Sequence, residues 1–498
     1  MSQRTGTIIA TAAGAVRGTA ANGVRTFLGI PYAAPPTGLN RFALPRPHAP
    51  WPEVRDATIA GPTPPQRVKA FPGLDIVPLI GTGWIEGDDY LAANIWAPDT
   101  DATGLPVMVF VHGGAFVLGH KDVAVHDGSA FARDGVICVA INYRLGVEGF
   151  LPIPGVPTNL GLRDILFALE WVKQTIPAFG GNPDNITLFG ESAGAMAIAD
   201  LVGSPLAKGL FRRAVIQSGH GGMVRSIGIA RKLVGRLARI LKVPATEEGF
   251  RRTTAAKCLD AMEAMQPPKG KIDLRDSDGL EPSYGLTRFL PVYGDDVVPV
   301  KPIAGLAAGA GAEIDVLIGT NAEEMNLYWV PTGIKAKLGR LLAWFILSRV
   351  QPKARAVLKV YGFKDKSKSG GEVFTDATTD LVFRWPARRF AEEHRGRTHM
   401  YQFGWRSPAF GGQLGACHGL ELPFVFDTLD TVTGPQGLVG PERPPQALAD
   451  SVHRIWVDYA RDGSLPWPEF KSETRLVYEL AEGHAQYEQP MFAAPFLD

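Results

Sequence analysis

The feature that most limits the fold of this 498-residue chain is the alternation of short apolar runs with helical patterns along its middle. Residues 106–112 and 136–142 are nearly continuous apolar runs, as expected of strands that a parallel sheet buries on both faces. Between 162 and 176 apolar residues recur every three or four positions, which predicts a helix. Strands that alternate with helices in this way indicate an α/β fold with a mostly parallel, twisted sheet flanked by helices. Further strands are predicted at 186–189, 214–217, 315–318 and 399–403.

Two stretches, at about 220–300 and 325–395, interrupt this alternation with mainly helical patterns. We interpret them as insertions that decorate one end of the sheet. No linker, low-complexity tract or fixed-period repeat separates them from the rest of the chain. The sequence therefore predicts one elaborated domain over residues 1–498.

Composition excludes several classes of protein. The chain has 51 Lys and Arg against 50 Asp and Glu, whereas nucleic-acid-binding proteins usually carry a basic excess, so no nucleic-acid partner is expected. A hydrophobic fraction of 45% with a net charge of only +1 is typical of a large core and not of a disordered chain. The three cysteines, Cys138, Cys258 and Cys417, have no C-x-x-C spacing, so neither a disulfide framework nor a cysteine zinc site is predicted.

Hydropathy along the chain predicts no membrane span. The longest strongly apolar run, 341–347, is far shorter than the ~18 residues that a spanning helix needs. Residues 7–16 lack the sustained apolar core of a signal peptide, and we interpret them as the start of a first pair of strands. We therefore expect a cytoplasmic protein.

The motif with the clearest chemical meaning is Gly-Glu-Ser-Ala-Gly at 190–194, which matches G-x-S-x-G. A predicted strand precedes it and a helix of small residues follows, which is the strand–turn–helix context of a nucleophile elbow. The turn projects the hydroxyl of Ser192 at a helix N-terminus, where the helix dipole favours developing negative charge. An ordinary Gly-rich turn is the alternative, and the context favours Ser192 as a nucleophile.

A second motif, His-Gly-Gly-Ala-Phe at 112–116, directly follows a predicted strand. Acyl transfer develops negative charge on a carbonyl oxygen, and preorganised backbone N–H groups must meet it. Consecutive glycines let the backbone approach a substrate without obstruction by Cβ atoms. We assign the donors of this oxyanion hole to Gly113, Gly114 and Ala193; the alternative is a flexible loop.

The general base must follow Ser192 in the chain if the triad has the order Ser, acid, His. His418 lies in a predicted loop, from which a ring can reach the nucleophile, and His220, close after a strand, is the second candidate. His418 and Glu421 could also be metal ligands, but no second pair completes a site, so no metal is predicted. Glu323 and Glu324 both follow the strand at 315–318, and spacing alone does not choose the acid between them.

These motifs together resemble those of the type-B carboxylesterases of the α/β-hydrolase superfamily, and among them the bacterial para-nitrobenzyl esterases. The similar blocks occur in family order nearly from end to end, at 27–38, 41–42, 142–146, 159–162, 179–183, 189–194, 217–219, 319–324 and 416–421. The resemblance implies an α/β-hydrolase fold in which the helical insertions form a cap over the active site.

The resemblance also implies the acid. It identifies Glu324 as the third triad residue, although Met325 stands where the family usually has Gly. Ser218, Glu421 and Glu191 are expected to support the triad. A cysteine that forms a disulfide in secreted relatives is absent from 88–91, which agrees with a reducing compartment.

The expected activity is hydrolysis of small-molecule carboxylic esters through an acyl-enzyme, without a cofactor. The same residues would serve amides, lactones or thioesters, and a non-catalytic binding member of the fold is a further alternative. Phe116, Trp329 and Trp344 are expected to line the substrate pocket. The run 341–347 is interpreted as cap core, pocket wall or a lipid-facing patch, and no oligomeric state is predicted.

Overall fold

One large mixed sheet lies at the centre of the molecule in a computed structural model, which describes residues 5–265 and 272–497. The strands are β1 Thr5–Thr11, β2 Gly14–Ala21, β3 Val24–Pro31, β4 Arg55–Asp56, β5 Ala92–Pro98, β6 Leu105–Val111, β7 Ile137–Ile141, β8 Gly181–Glu191, β9 Arg213–Gln217, β10 Arg225–Ser226, β11 Val292–Tyr293, β12 Asp315–Asn321, β13 Thr398–Phe403, β14 Leu476–Glu479 and β15 His484–Tyr487.

Helices cover both faces of the sheet and fill the long connections between its strands. They are α1 Val77–Ile80, α2 Ser129–Arg133, α3 Gly146–Phe150, α4 Leu160–Thr175, α5 Ala193–Val202, α6 Ile227–Leu241, α7 Glu247–Arg251, α8 Ala255–Ala264, α9 Pro302–Ala307, α10 Asn326–Trp329, α11 Ile334–Lys337, α12 Arg340–Ser348, α13 Ala354–Val360, α14 Gly370–Thr379, α15 Trp385–Glu393, α16 Leu422–Val425 and α17 Gln446–Asp462.

The strand order is β1-β2-β3-β5-β7-β6-β8-β9-β12-β13-β14-β15, with β4 beside β2. Pairing is parallel from β7 through β14 and antiparallel along β1, β2, β3, β5 and β7 and between β14 and β15. The short β4 pairs with β2 in parallel. The predicted mostly parallel α/β sheet is therefore confirmed. The N-terminal prediction also agrees, because β1 and β2 form an antiparallel pair.

Strand β6 shows why the centre of the sheet is apolar on both faces. Alternate side chains point to opposite faces of a strand. Val107, Val109 and Val111 join the core that contains α4 and α5, whereas Met108 and Phe110 join the core that contains α17. A near-continuous apolar run is thus required here, since helices cover both sides.

The two helical stretches predicted from the sequence contain α6 to α8 and α10 to α15. The main sheet takes no described strand from either stretch, and β10 and β11 form a separate two-stranded sheet. Their status as insertions in a single domain stays a prediction. In the described part of the chain, no helix is both long enough and apolar enough to cross a membrane.

A buried ion pair connects α4 to the loop after β7. The guanidinium of Arg144 donates to both carboxylate oxygens of Asp164 at 2.7 and 2.6 Å, and its amide donates to the same carboxylate at 3.0 Å. Both side chains are almost completely buried. A third guanidinium contact, to the carbonyl of Ala43 at 2.7 Å, ties in the N-terminal segment.

We expect Asp164→Ala to lower the free energy of unfolding by about 3–5 kcal/mol, because Arg144 would remain buried without its counter-charge. The matched control is Glu248→Ala, which removes an exposed ion pair with Arg252 and should cost less than about 1 kcal/mol. Denaturant unfolding followed by circular dichroism measures both. Equal losses in the two variants would contradict a structural role for the buried pair.

Candidate active site

The site lies where the carboxyl ends of four neighbouring parallel strands meet. Val111 of β6 pairs with Gly190 of β8, and Glu191 pairs with Gln217 of β9. Gln217 pairs in turn with Gly319 of β12. The residues that follow these strands therefore emerge side by side at one edge of the sheet.

Ser192 occupies the sharp turn between β8 and α5. Its backbone has a φ of 54° and a ψ of −123°, a conformation that L-residues rarely adopt. The amide of Ser192 donates to the carbonyl of Gln217 at 2.9 Å, which holds the turn against β9. A Cβ on Gly194 would overlap the carbonyl oxygen of Val111, so this position needs glycine for the helix to pack on the sheet.

The loop after β6 lies directly against this turn. A Cβ on Gly113 would come within 2.6 Å of Oε2 of Glu191 and 3.1 Å of Cβ of Ser192. Gly114 has a φ of 111°, which also favours glycine. Both glycines line the same cavity as Ser192. Ala193 is the first residue of α5, and the amides of a first helical turn have no partner within the helix.

His418 and Glu324 form a short, fully buried contact. Nδ1 of His418 lies 2.6 Å from Oε2 of Glu324, and the amide of His418 donates to the carbonyl of Glu324 at 3.1 Å. The imidazole lies between the rings of Phe383 and Tyr328, with centroid distances of 4.6 and 5.6 Å. Side chain and backbone together thus orient the imidazole.

The structure separates the two adjacent glutamates. The carboxylate of Glu323 points the other way, where it pairs with Arg406 and accepts from the amide of Ala416 at 3.0 Å. Of these two adjacent glutamates, only Glu324 reaches the imidazole. Met325, the departure from the family pattern, has a φ of −74°, which any L-residue adopts, so a side chain fits there without strain.

Ser218 and Glu421 lie in one buried network behind Glu324. The hydroxyl of Ser218 donates to Oε1 of Glu324 at 2.6 Å, and the amide of Asn321 donates to the same oxygen at 2.8 Å. The side-chain amides of Asn321 and Gln217 donate to the two oxygens of Glu421. Asn321 and Gln217 were not singled out from the sequence, although both lie inside the family-like blocks at 319–324 and 217–219. Only their hydrogen bonds to residues of other segments reveal their role.

Glu191 faces the other nitrogen of the imidazole. Its Oε1 lies 3.0 Å from Nε2 of His418, and both groups are buried. Burial raises the pKa of the Glu191 carboxyl. Burial lowers the pKa of His418, but the carboxylates of Glu191 and Glu324 outweigh this effect, so the pKa of His418 is raised overall. The imidazolium is therefore stabilised from both sides.

His220, the second candidate for the base, and His112, the first residue of the oxyanion motif, both lie elsewhere. In His220, Nδ1 accepts from the amide of Gly222 at 3.0 Å and Nε2 lies 2.8 Å from the carbonyl of Val382. Burial lowers its pKa to about 4, so the ring is neutral and both nitrogens are engaged. His112 is stacked on Tyr143, and burial lowers its pKa to about 3. Neither ring reaches the cavity that Ser192 lines.

That cavity has a volume of about 130 Å³ and mainly apolar walls. Its lining consists of Phe71, Ile76, Leu79, Ile80, Gly113, Gly114, Ala115, Leu118, His126, Glu191, Ser192, Leu327, Tyr328, His418, Gly419 and Leu422. The segment at 71–80 and the side chains of Leu327 and Tyr328 were not expected from the sequence. They come from distant parts of the chain, and no local pattern marks them.

The three predicted pocket residues are absent from this lining. Phe116 is completely buried and packs on Phe150, with a ring-centroid distance of 4.7 Å. Trp329 packs on Phe374 and donates to Thr378 at 3.3 Å. Trp344 lies on the outer surface of α12 and is 41% exposed. The structure does not bring these three side chains to Ser192.

The metal alternative finds no support in the geometry. The oxygens of Glu421 are taken up by Gln217 and Asn321, and the ring of His418 is directed at Glu324 and Glu191. Within residues 5–265 and 272–497, no group of three or more His, Cys, Asp or Glu side chains could hold a metal ion.

Comparison with known proteins identifies relatives over nearly the whole chain. A sequence model described as the carboxylesterase family matches residues 5–494. The para-nitrobenzyl esterase of Bacillus subtilis (strain 168) is 35% identical over 486 residues, which cover 94% of this chain and 93% of that protein. The phenmedipham hydrolase of Pseudarthrobacter oxydans is 32% identical over 501 residues, which cover 96% and 95%.

Solved structures agree with these sequence relatives. A thermophilic PNB esterase superposes with a TM-score of 0.84 at 31% identity, covering 99% of this chain and 100% of that one. A further PNB esterase superposes with a TM-score of 0.82 at 32% identity, covering 97% of each chain.

The contact between Glu191 and His418 yields a prediction about the imidazole. In Glu191→Gln we expect the pKa of His418 to fall by about one to three units, because the lost carboxylate no longer favours the protonated ring. The ring then gives up its proton at a lower pH. Titration of protein labelled with ¹⁵N-histidine measures this, with the His418 resonance assigned by its absence from His418→Gln.

The matched control is Glu482→Gln, which neutralises an exposed glutamate and should leave the pKa of His418 unchanged. A pKa of His418 in Glu191→Gln equal to that of the unaltered protein would contradict the electrostatic role of Glu191.

Proposed function

The chain belongs to the carboxylesterase family and is a carboxylic ester hydrolase, and we propose that Ser192, Glu324 and His418 perform the hydrolysis through a covalent acyl-enzyme. The resemblance seen in the sequence motifs and the α/β-hydrolase fold that it implies are thereby confirmed. The assignment of individual residues is our proposal.

One observation carries this assignment. The 2.6 Å contact between Nδ1 of His418 and Glu324 lies beside a cavity into which the strained Ser192 turn also opens. A nucleophile, a base and a carboxylate that orients the base are the three parts that acyl transfer needs. The contact fixes the tautomer that leaves Nε2 to accept a proton.

Acylation begins when Ser192 Oγ attacks the ester carbonyl carbon and Nε2 of His418 takes the hydroxyl proton. For this step Nε2 of His418 must move away from the carboxylate of Glu191. It then meets the hydroxyl of Ser192, the residue that follows Glu191 in the chain. The amides of Gly113, Gly114 and Ala193 stabilise the oxyanion of the tetrahedral intermediate. The intermediate collapses as the imidazolium returns its proton to the departing alcohol.

Deacylation repeats these steps with water as the nucleophile. His418 takes one proton of the water as its oxygen attacks the acyl carbon, and then gives the proton to Oγ as the acid leaves. Glu324 remains ionised and stabilises the imidazolium in both halves of the reaction. Ser218 and Asn321, which donate to the far oxygen of Glu324, hold its carboxylate in the orientation that faces His418.

The cavity favours small apolar ester groups. Its volume of about 130 Å³ and its aliphatic and aromatic walls suit a short acyl chain or a compact alcohol. The name of one relative, para-nitrobenzyl esterase, agrees with an aromatic alcohol of modest size. We also propose a cytoplasmic location, since Cys138, Cys258 and Cys417 are buried and unpaired, as is usual in a reducing compartment.

The assignment predicts that Ser192→Ala and His418→Ala each lower kcat by about 10⁴–10⁶-fold, as other triad deletions do. The hydrolysis of p-nitrophenyl acetate by purified variants measures this. His484→Ala, which removes an exposed histidine, is the control and should retain full activity. A drop of only a few-fold in either variant would remove that residue from the triad.

The cavity predicts a preference for short chains. Across p-nitrophenyl acetate, butyrate, octanoate and palmitate, kcat/KM should be highest for acetate or butyrate and fall with longer acyl groups, because the cavity has no room for them.

A matched anilide of the preferred acid should react far more slowly if the enzyme is an esterase. The highest kcat/KM on palmitate, or equal rates on ester and anilide, would contradict this substrate class.

A further inference from the structure

The outer surface of α12 is an unusual concentration of exposed apolar side chains. The exposed fractions are 80% for Leu341, 52% for Leu342, 41% for Trp344, 49% for Phe345 and 40% for Ile346. We refer to these five side chains as the α12 face. Isolated exposed apolar residues are common, but a contiguous group of this kind marks an interaction site.

The helix has an inner side that explains its folding without the α12 face. Ala343 and Leu347, one turn apart, are completely buried in a small core shared with α13 and α14. The guanidinium of Arg340 also donates to backbone carbonyls of the segment 363–368 and fastens it to the start of the helix. The exposed side chains are therefore not needed to hold α12 in place.

The segment that carries the α12 face has an excess of positive charge. Residues 335–368 contain ten Lys and Arg but one acidic residue, whereas the rest of the chain contains 41 basic and 49 acidic residues. The exposed basic side chains of this segment are Lys337, Arg349, Lys353, Arg355, Lys359, Lys364, Lys366 and Lys368. Arg349 lies with its guanidinium 5.0 Å above the ring of Phe345, so charge and apolar surface are in direct contact.

We propose that the α12 face docks on the surface of a lipid bilayer that contains anionic headgroups. An apolar helix face with Trp, Phe and Leu, bordered by Lys and Arg, is the arrangement that lies in a membrane interface. The apolar side chains would enter the boundary between headgroups and acyl chains. The surrounding basic side chains would meet the phosphates, each adding to the attraction.

Charge decides against the other occupants of such a surface. A second copy of this chain, docked face to face, would bring two strongly basic segments together, and like charges across an interface oppose association. The basic side chains would attract a nucleic acid. Its phosphates would then also lie against Leu341 and Leu342, which have no polar group to bind them. An anionic bilayer is complementary both to the basic side chains of the segment and to the apolar side chains of the α12 face.

Docking and catalysis use different residues of the same cap. Tyr328 lines the cavity, and the adjacent Trp329 packs on Phe374 of α14, the helix on which α12 rests. No residue of α12 lines the cavity. Changes to the α12 face therefore test docking without altering the groups that react with the ester.

The experiment is flotation of the full-length protein with vesicles of phosphatidylcholine alone or of phosphatidylcholine and phosphatidylglycerol in equal parts. We expect binding to the anionic vesicles only, weakened by added salt. A triple variant, Leu341→Ser with Trp344→Ser and Phe345→Ser, should bind at least about tenfold more weakly. Lys353→Gln combined with Lys364→Gln and Lys366→Gln should also lose about tenfold or more.

The control is Leu39→Ser with Ile59→Ser, which removes two exposed apolar side chains distant in sequence from α12 and should leave binding unchanged. The circular dichroism spectrum and the rate of p-nitrophenyl acetate hydrolysis should be the same in every variant as in the unaltered protein, which establishes that each variant is folded. This readout also separates a failure of docking from a failure of the proposed catalytic residues.

Three outcomes would overturn the proposal. The unaltered protein could fail to float with anionic vesicles, or the triple variant could float as well as the unaltered protein. Alternatively, sedimentation could show that the unaltered protein is a dimer and the triple variant a monomer, with no lipid binding by either protein. The α12 face would then be an interface between two copies.

Discussion

The parallel pairing of β6, β8, β9 and β12 is the constraint on which the site depends. Parallel strands run in one direction, so the segments that leave them emerge at one edge of the sheet. Here that edge receives the Gly113–Gly114 loop, Ser192, Ser218 and Glu324 in adjacent positions. A slip of one residue would exchange the two faces of a strand. It would also displace Ser192, so the packing of the core and the geometry of the site are set by the same register.

Two successive strands are each followed by a serine with a positive φ. Ser192 after β8 and Ser218 after β9 have φ values of 54° and 53°, and each donates its amide to a carbonyl of the next strand, Gln217 or Gly319. The hydrogen bonds hold a conformation that a free chain would avoid. The two hydroxyls have different roles. Ser192 lines the cavity, whereas the hydroxyl of Ser218 donates to Glu324.

Charge is distributed unevenly through the molecule, and each concentration has its own physical basis. Around His418, three buried glutamates lie close together: Glu324 and Glu191 contact the two nitrogens of the imidazole, and the amides of Asn321 and Gln217 donate to Glu324 and Glu421. At the surface, residues 335–368 hold a basic excess that a net charge of +1 conceals, since acidic residues elsewhere balance it. Total charge therefore indicated no particular partner, whereas the basic excess in the segment that carries the α12 face agrees with the proposed anionic bilayer.

The sequence by itself determined what depends on neighbours along the chain. Apolar periodicity predicted the strands and α4. A strand–turn–helix context pointed to Ser192, and a glycine pair directly after a strand pointed to Gly113 and Gly114. Spacing could not choose between Glu323 and Glu324; the resemblance to a family did, and the tertiary structure shows the reason, because only Glu324 is directed to His418. The cavity wall was decided by tertiary structure alone. The segment 71–80 lines the cavity together with Tyr328 despite a long separation in sequence. Phe116 and Trp329 pack on Phe150 and Phe374 instead, and Trp344 is exposed on α12. Periodicity indicates that a side chain is apolar, but only the packing of distant segments decides whether it faces a core, a cavity or the surface.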